Sequence, residues 1–237
     1  MKEKDVETKI TLLESQLKEK LAILDNKIRN LEDIEEIEKL QRAYGYYLEP
    51  AMIDEFEDLF ADDPDVALNF LGKRIFKGKD GARRFLEAIG AGQPNPEFLH
   101  IAMQLSGIVN VDPNGQTAKG RWYGWGAAAV PEDKGVSQSF FVAVYEVEYI
   151  KENGKWKIKI LTLSMDYHIH NPKDSFVKQE RIAALDPNYV RPRSEFGVPD
   201  NFNTEYPSGY ILPFHFKHPV TGKETSESKR NAALGLG

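Results

Sequence analysis

The chain has 237 residues and a formal net charge of −6, with 41% hydrophobic and 29% charged residues, the mix of a folded water-soluble protein rather than a disordered one. A pI near 5.5 is the wrong sign for a protein living on phosphate backbones, so neither nucleic acid nor a membrane is expected as partner, and no apolar run approaches the ~18 residues of a spanning helix. Cysteine is absent, which removes disulfides, thiolate catalysis, iron–sulfur clusters and cysteine-based zinc sites; with no apolar signal-peptide core near the start, a cytoplasmic location is expected.

From Met1 to about Asn30, apolar residues recur at Ile10, Leu13, Leu17, Leu21, Leu24, Ile28 and Leu31 with charged residues between them. Steps of three or four, averaging ~3.5, describe a coiled-coil seam or a long amphipathic helix that needs another copy or its own domain to cover it. Asp33 and Glu36 read as a capping box that restarts or re-phases the helix. Its continuation carries Ile34, Ile37, Leu40, Tyr44 and Tyr47 on one face and stops at Glu49-Pro50, since proline lacks a donor and disfavours helix before it. A short helix follows from Ile53 to Phe60.

Val66–Phe70 and Arg74–Phe76 flank Leu71-Gly72-Lys73 as a hairpin, and Lys79–Ile89 is an amphipathic helix with Asp80 as a possible cap. Gly90 to Pro96 is a loop. Long strands then run over Leu99–Val111, Gln116–Val130, Ser137–Ile150 and Trp156–His168, with turns at Asp112-Pro113-Asn114-Gly115 and Glu152-Asn153-Gly154. This order predicts an α+β protein, helices covering one face of a curved antiparallel sheet. Three parts are expected: an N-terminal amphipathic helix (1–31), the α+β domain (32–170) and an extended aromatic C-terminal arm (171–237) that packs on its own domain or a neighbour, its last residues disordered.

The run Tyr44-Gly45-Tyr46-Tyr47-Leu48-Glu49, with Leu59-Phe60-Ala61, Gly120-Arg121-Trp122-Tyr123 and Asn153-Gly154-Lys155-Trp156-Lys157-Ile158, resembles the SnoaL-like branch of the nuclear transport factor 2-like superfamily. The resemblance covers about Glu32 to Tyr167 and is nearest to the scytalone dehydratase and bile-acid 7α-dehydratase group. It implies a cone-shaped α+β barrel, open at one end to a small, mostly apolar ligand. It also implies a tyrosine and an acid on the first long helix, met here by Tyr44 and Glu49, and a histidine opening the long strands, met by His100. Two departures are visible: the acid is Glu rather than Asp, and Leu68 stands where scytalone dehydratase has a strand-borne tyrosine. Dehydratases of this group are trimers and many relatives are dimers, so a homo-oligomer is expected, a trimer before a dimer. SnoaL-like enzymes of bacterial aromatic catabolism, some of which release formaldehyde from diaryl compounds, are similar in length.

Taken without the family, Tyr44 lies on an apolar stripe that equally suits core packing, Glu49 suits a surface carboxylate, and His100 suits a satisfied core histidine. Together they suit acid–base elimination without a cofactor: a carboxylate steers an imidazole that takes a proton, and a buried phenol stabilises developing oxyanion charge. Tyr47, Leu68, Phe141 and Tyr145 are candidate walls of the cavity. Trp122, Tyr123 and Trp125 split between two strand faces, so at least one is expected to line it; an aromatic or polycyclic substrate suits such walls. Arg121 is expected outside in a salt bridge. Asp166, His168 and His170 share a strand face and form a weak metal candidate, so no metal is expected, while His215 and His218 suit the cavity mouth. No Walker loop, dinucleotide glycine fingerprint or nucleophile elbow is present. The competing readings are a non-catalytic binding or assembly protein on the same scaffold and a ketosteroid-type isomerase with a carboxylate base.

Overall fold

The computed structural model describes residues 3–48, 52–70, 74–92, 98–133, 135–170 and 217–233, without the side chains of 3–6, 165 and 167–170. A single helix α1 (Glu3–Tyr47) is followed by α2 (Ile53–Glu57), the short strands β1 (Ala67–Phe70) and β2 (Arg74–Lys77), α3 (Asp80–Ala88) and the long strands β3 (Leu99–Val111), β4 (Thr117–Glu132), β5 (Gly135–Glu152) and β6 (Lys155–His170). A short α4 (Glu227–Ala233) comes last. The six strands form one sheet in the order β2-β1-β6-β5-β4-β3, antiparallel except where β1 runs parallel to β6. Its edges stay open, so the barrel is a curved sheet closed over by helices.

The expected break at Asp33 does not occur. Helix α1 is continuous for 45 residues, because the Asp33 carboxylate is drawn sideways: it accepts from Trp156 Nε1 at 2.9 Å and pairs with Lys151. What changes at Asp33 is the helix face. Ile37, Leu40, Tyr44 and Tyr47 are buried against the sheet, whereas Ile10 to Leu31 stay exposed.

Sheet curvature has local causes. β3 carries a bulge between Leu105 and Ile108, with Ser106 at φ 51°, and β5 and β6 slip register twice; an extra residue on one strand bends it and increases its twist. At the tip of the β5–β6 hairpin, Asn153 (φ 51°) and Gly154 (φ 74°) take the left-handed conformations that a two-residue primed turn requires. On the inner face of β4, Gly120, Gly124 and Gly126 flank Trp122 and lie under Tyr149, Tyr145 and Phe141 of β5. A Cβ built on them would meet these rings at 2.9, 2.3 and 2.5 Å. Aromatic rings on β5 thus lie across strand positions that have no side chain, which fills the concave side with flat surfaces.

The described part of the C-terminal region, 217–233, packs on the domain. His218 stacks on Tyr47 with centroids 5.4 Å apart. Its Nε2 donates to the Glu55 carbonyl oxygen at 2.8 Å, and its Nδ1 accepts from the backbone N–H groups of Val220 and Thr221. The Glu55 carboxylate accepts from Ser226 N at 2.7 Å. The rest of the expected 171–237 arm, residues 171–216 with His215 and 234–237, lies outside the described residues.

Candidate functional site

Alternation along β3 places His100, Ala102 and Gln104 on the inner face. Helix α1 lies directly on them, so close that a Cβ on Gly45 would sit 2.7 Å from the Ala102 carbonyl oxygen. His100 stacks on Phe141 at 5.8 Å, with Phe98 at 6.4 Å. Its Nδ1 is shut off from solvent and has no hydrogen-bond partner among the described residues. Burial pushes its pKa down to about 4, so the ring is neutral at physiological pH and keeps a lone pair for a proton.

Next to it lies a buried polar chain. Trp122 Nε1 donates to the Tyr149 hydroxyl at 3.0 Å, which donates to Gln41 Oε1 at 2.8 Å; Gln41 Nε2 donates to Gln104 Oε1 at 2.8 Å. The amide of Gln104 bonds the Ala102 carbonyl and the Tyr145 hydroxyl, and Tyr44 bonds the same hydroxyl. The Tyr145 hydroxyl thus lies between Tyr44 and the Gln104 amide. Burial raises Tyr44 and Tyr149 well above an ordinary phenol and pushes Tyr145 up to about 12, so these hydroxyls act as donors and not as phenolates.

The residues expected at the site separate into three groups. Tyr44, Trp122, Phe141 and Tyr145 face the interior and are buried; Leu68 is buried on β1 opposite Phe76 and Leu161, and Tyr47 is buried under His218. Tyr123 and Trp125 are corrected to the outer face, 50% and 41% exposed, because they alternate with Trp122 on β4. Arg121 lies outside in an ion pair with Glu146. Glu49 lies outside the described residues, as do the side chains of His168 and His170. Sequence reasoning missed Gln41, Gln104 and Tyr149. Gln41 stands on the buried α1 stripe between Ile37 and Tyr44, a polar residue where the helix period calls for an apolar one, and that was the available signal.

This chain predicts a specific cost. Gln41→Leu strips the Tyr149 hydroxyl of its acceptor and Gln104 Oε1 of its donor in a place water does not reach. We expect a loss of about 1–3 kcal/mol in urea unfolding, with Tyr145 less firmly held.

Among the described residues, clefts open between α1 and the β3–β4 turn (about 540 Å³), along α1 at Ile23 and Leu31 (about 500 Å³) and beside Tyr46 and Met103 (about 450 Å³); none of these is lined by His100 or Tyr44.

Residues 29–162 match the family model of the SnoaL-like domain, and the chain belongs to that family. Among solved structures it is similar to LinA, with 16% identity and a TM-score of 0.53 over 64% of this chain and 97% of that one. It is also similar to hexachlorocyclohexane dehydrochlorinase LinA-type3 from Novosphingobium barchaimii LL02, with 19% identity and a TM-score of 0.51 over 64% and 98%. An NTF2-like protein with a cystatin-like fold from Novosphingobium aromaticivorans is 18% identical over 62% and 90%, with a TM-score of 0.47. At these identities the likeness is one of fold. No curated protein matches the chain. No helix among the described residues is long and apolar enough to cross a membrane.

Proposed function

We propose that this protein is a cofactor-independent lyase that eliminates water or formaldehyde from a small aromatic or polycyclic hydroxylated compound. The observation that carries the reading is the neutral His100 imidazole, whose Nδ1 is buried without a partner among the described residues, in the same interior as the Tyr44–Tyr145 hydroxyl pair. A buried acceptor left unpaired costs stability, and a substrate proton would supply what it lacks. Glu49, two positions after α1 in the sequence, is the proposed acid that steers the ring.

In the dehydratase form, His100 takes a proton from carbon, electrons move to expel hydroxide, and the imidazolium returns its proton to the leaving oxygen as water. In the formaldehyde form, His100 deprotonates a hydroxymethyl group, the carbon–carbon bond breaks to release formaldehyde, and the carbanion recovers the proton. In both, Tyr145, set by Tyr44 and Gln104, donates to the oxyanion. The LinA-type3 neighbour is itself named for an elimination, dehydrochlorination. A second reading, a non-catalytic binding or assembly protein, draws support from the close packing of Tyr44, Trp122 and Tyr145, all 2% exposed or less.

The test is to incubate the purified chain with a panel of hydroxylated aromatic and polycyclic compounds and to measure dehydrated product and released formaldehyde. Turnover with either supports the lyase; tight binding without turnover supports the second reading. The pH profile adds a sign. The base acts neutral, so kcat/KM should persist below the ordinary imidazole value of about 6.5 and fall only as pH approaches about 4.

Stability follows the same sign. His100 and His218 both hold pKa values below an unfolded histidine, chiefly by burial, so the unfolded chain binds protons more readily. Neither ring changes stability with pH above ~6.5; as pH falls below it the unfolded chain takes up the proton first and stability declines, by about 3 kcal/mol from His100 once pH passes below about 4. Urea midpoints should be flat above neutrality and drop between pH 6.5 and 4.

A further inference from the structure

The exposed half of α1 is more than an uncovered helix. We infer that residues 10–31 form a parallel, in-register, two-stranded coiled coil with a second copy of this chain.

The chain's own domain is on the wrong side to cover the stripe. Helical side chains advance ~100° per residue, so Leu24 points ~140° away from Ile37, which is buried against the sheet. Ile28 and Tyr46 lie five full turns apart on one face, and Tyr46, within the domain, is 55% exposed. The stripe therefore runs along the solvent side of α1, and a partner helix can lie there without meeting the sheet. Its members are exposed by 50–65%, and their average spacing of ~3.5 residues is that of two helices supercoiled about each other.

Charge selects the partner and its direction. Lys9, Lys20 and Lys27 each stand immediately before a seam residue (Ile10, Leu21, Ile28), and Glu14, Asp25 and Glu32 each stand immediately after one (Leu13, Leu24, Leu31). In a parallel in-register pair, the residue before one seam position faces the residue five places on in the other helix. That sets Lys9 against Glu14, Lys20 against Asp25 and Lys27 against Glu32, each from opposite copies. An antiparallel pair sets lysine against lysine and acid against acid. All six are exposed, and none is in an ion pair among the described residues. Ile10 with Leu13 and Ile28 with Leu31 have the isoleucine-then-leucine pairing of two strands, while Leu17 and Leu21 bring leucine to the isoleucine positions; the charge pairing therefore carries the choice of a two-stranded assembly over the trimer that the family resemblance implies.

The absence of cysteine makes a clean test. Leu13→Cys and Leu31→Cys are prepared separately in the full chain and mildly oxidised. A parallel in-register pair brings equivalent seam positions within disulfide reach, so each variant should link to itself; linking only when the two are mixed, or in neither case, overturns the proposal. Sedimentation equilibrium supplies the second arm. Leu17→Glu with Leu24→Glu should convert dimer to monomer while the strand circular dichroism is retained, and an unchanged mass overturns the proposal. Lys20→Glu should weaken the dimer by about two- to fivefold, and Lys20→Glu with Asp25→Lys should restore it, which a generic apolar association does not predict.

Discussion

Replacing His100 by alanine should lower elimination by about 10²–10⁴-fold, the range that a positioned general base contributes. Substrate binding should change little, because the ring's removal leaves Phe98 and Phe141 in place as walls. The stability readout should move the other way. Nδ1 is buried without a partner among the described residues, so exchanging the imidazole for an apolar side chain of similar bulk, His100→Leu, removes a group that opposes folding. A variant that is inactive yet at least as stable in urea is the signature of a residue kept for chemistry. A loss below tenfold would move the base to a carboxylate, as the isomerase reading requires. Tyr44→Phe and Tyr145→Phe then divide the oxyanion role: Tyr145 donates to substrate and Tyr44 positions it, so Tyr145→Phe should cost more in kcat.

Gly124→Ala should damage the sheet and the site together. Its Cβ would lie 2.3 Å from Tyr145 Cε2, and that ring is 2% exposed and meets the Tyr44 ring edge-on at 5.8 Å. Overpacking of this kind costs about 1–3 kcal/mol, a drop in Tm of several degrees for a chain of this length. Activity should fall with it, because the ring can yield only by shifting the hydroxyl held by Tyr44 and Gln104. Gly92→Ala serves as the control: its Cβ would meet Glu87 at an ordinary 3.6 Å, and neither Tm nor activity should change.

Much of the architecture was legible because it rests on period and punctuation. Alternation and the turns at Asp112–Gly115 and Glu152–Gly154 marked the long strands to within a few residues, and the apolar stripe of α1 marked both its buried and its exposed halves. Asp33 misled because a capping motif is a local signal, while Lys151 and Trp156, which claim its carboxylate, arrive from far along the chain. Trp122, Tyr123 and Trp125 showed the same division. Alternation required them to split between faces, but which face is concave depends on where α1 lies.

The sequence by itself determined the fold class, the family and the residue types able to move a proton, because these follow from local period and from motifs read along the chain. Only the tertiary structure decided that Gln41, Gln104 and Tyr149 connect the interior, that Trp122 turns inward while Trp125 turns out, and that the His100 nitrogen is buried. Each of these depends on strand register or on helix α1 lying across the sheet, contacts between segments far apart in the chain (Trp122 and Tyr149 by 27 residues, Gln41 and Gln104 by 63, Gln41 and Tyr149 by 108), for which no local pattern exists.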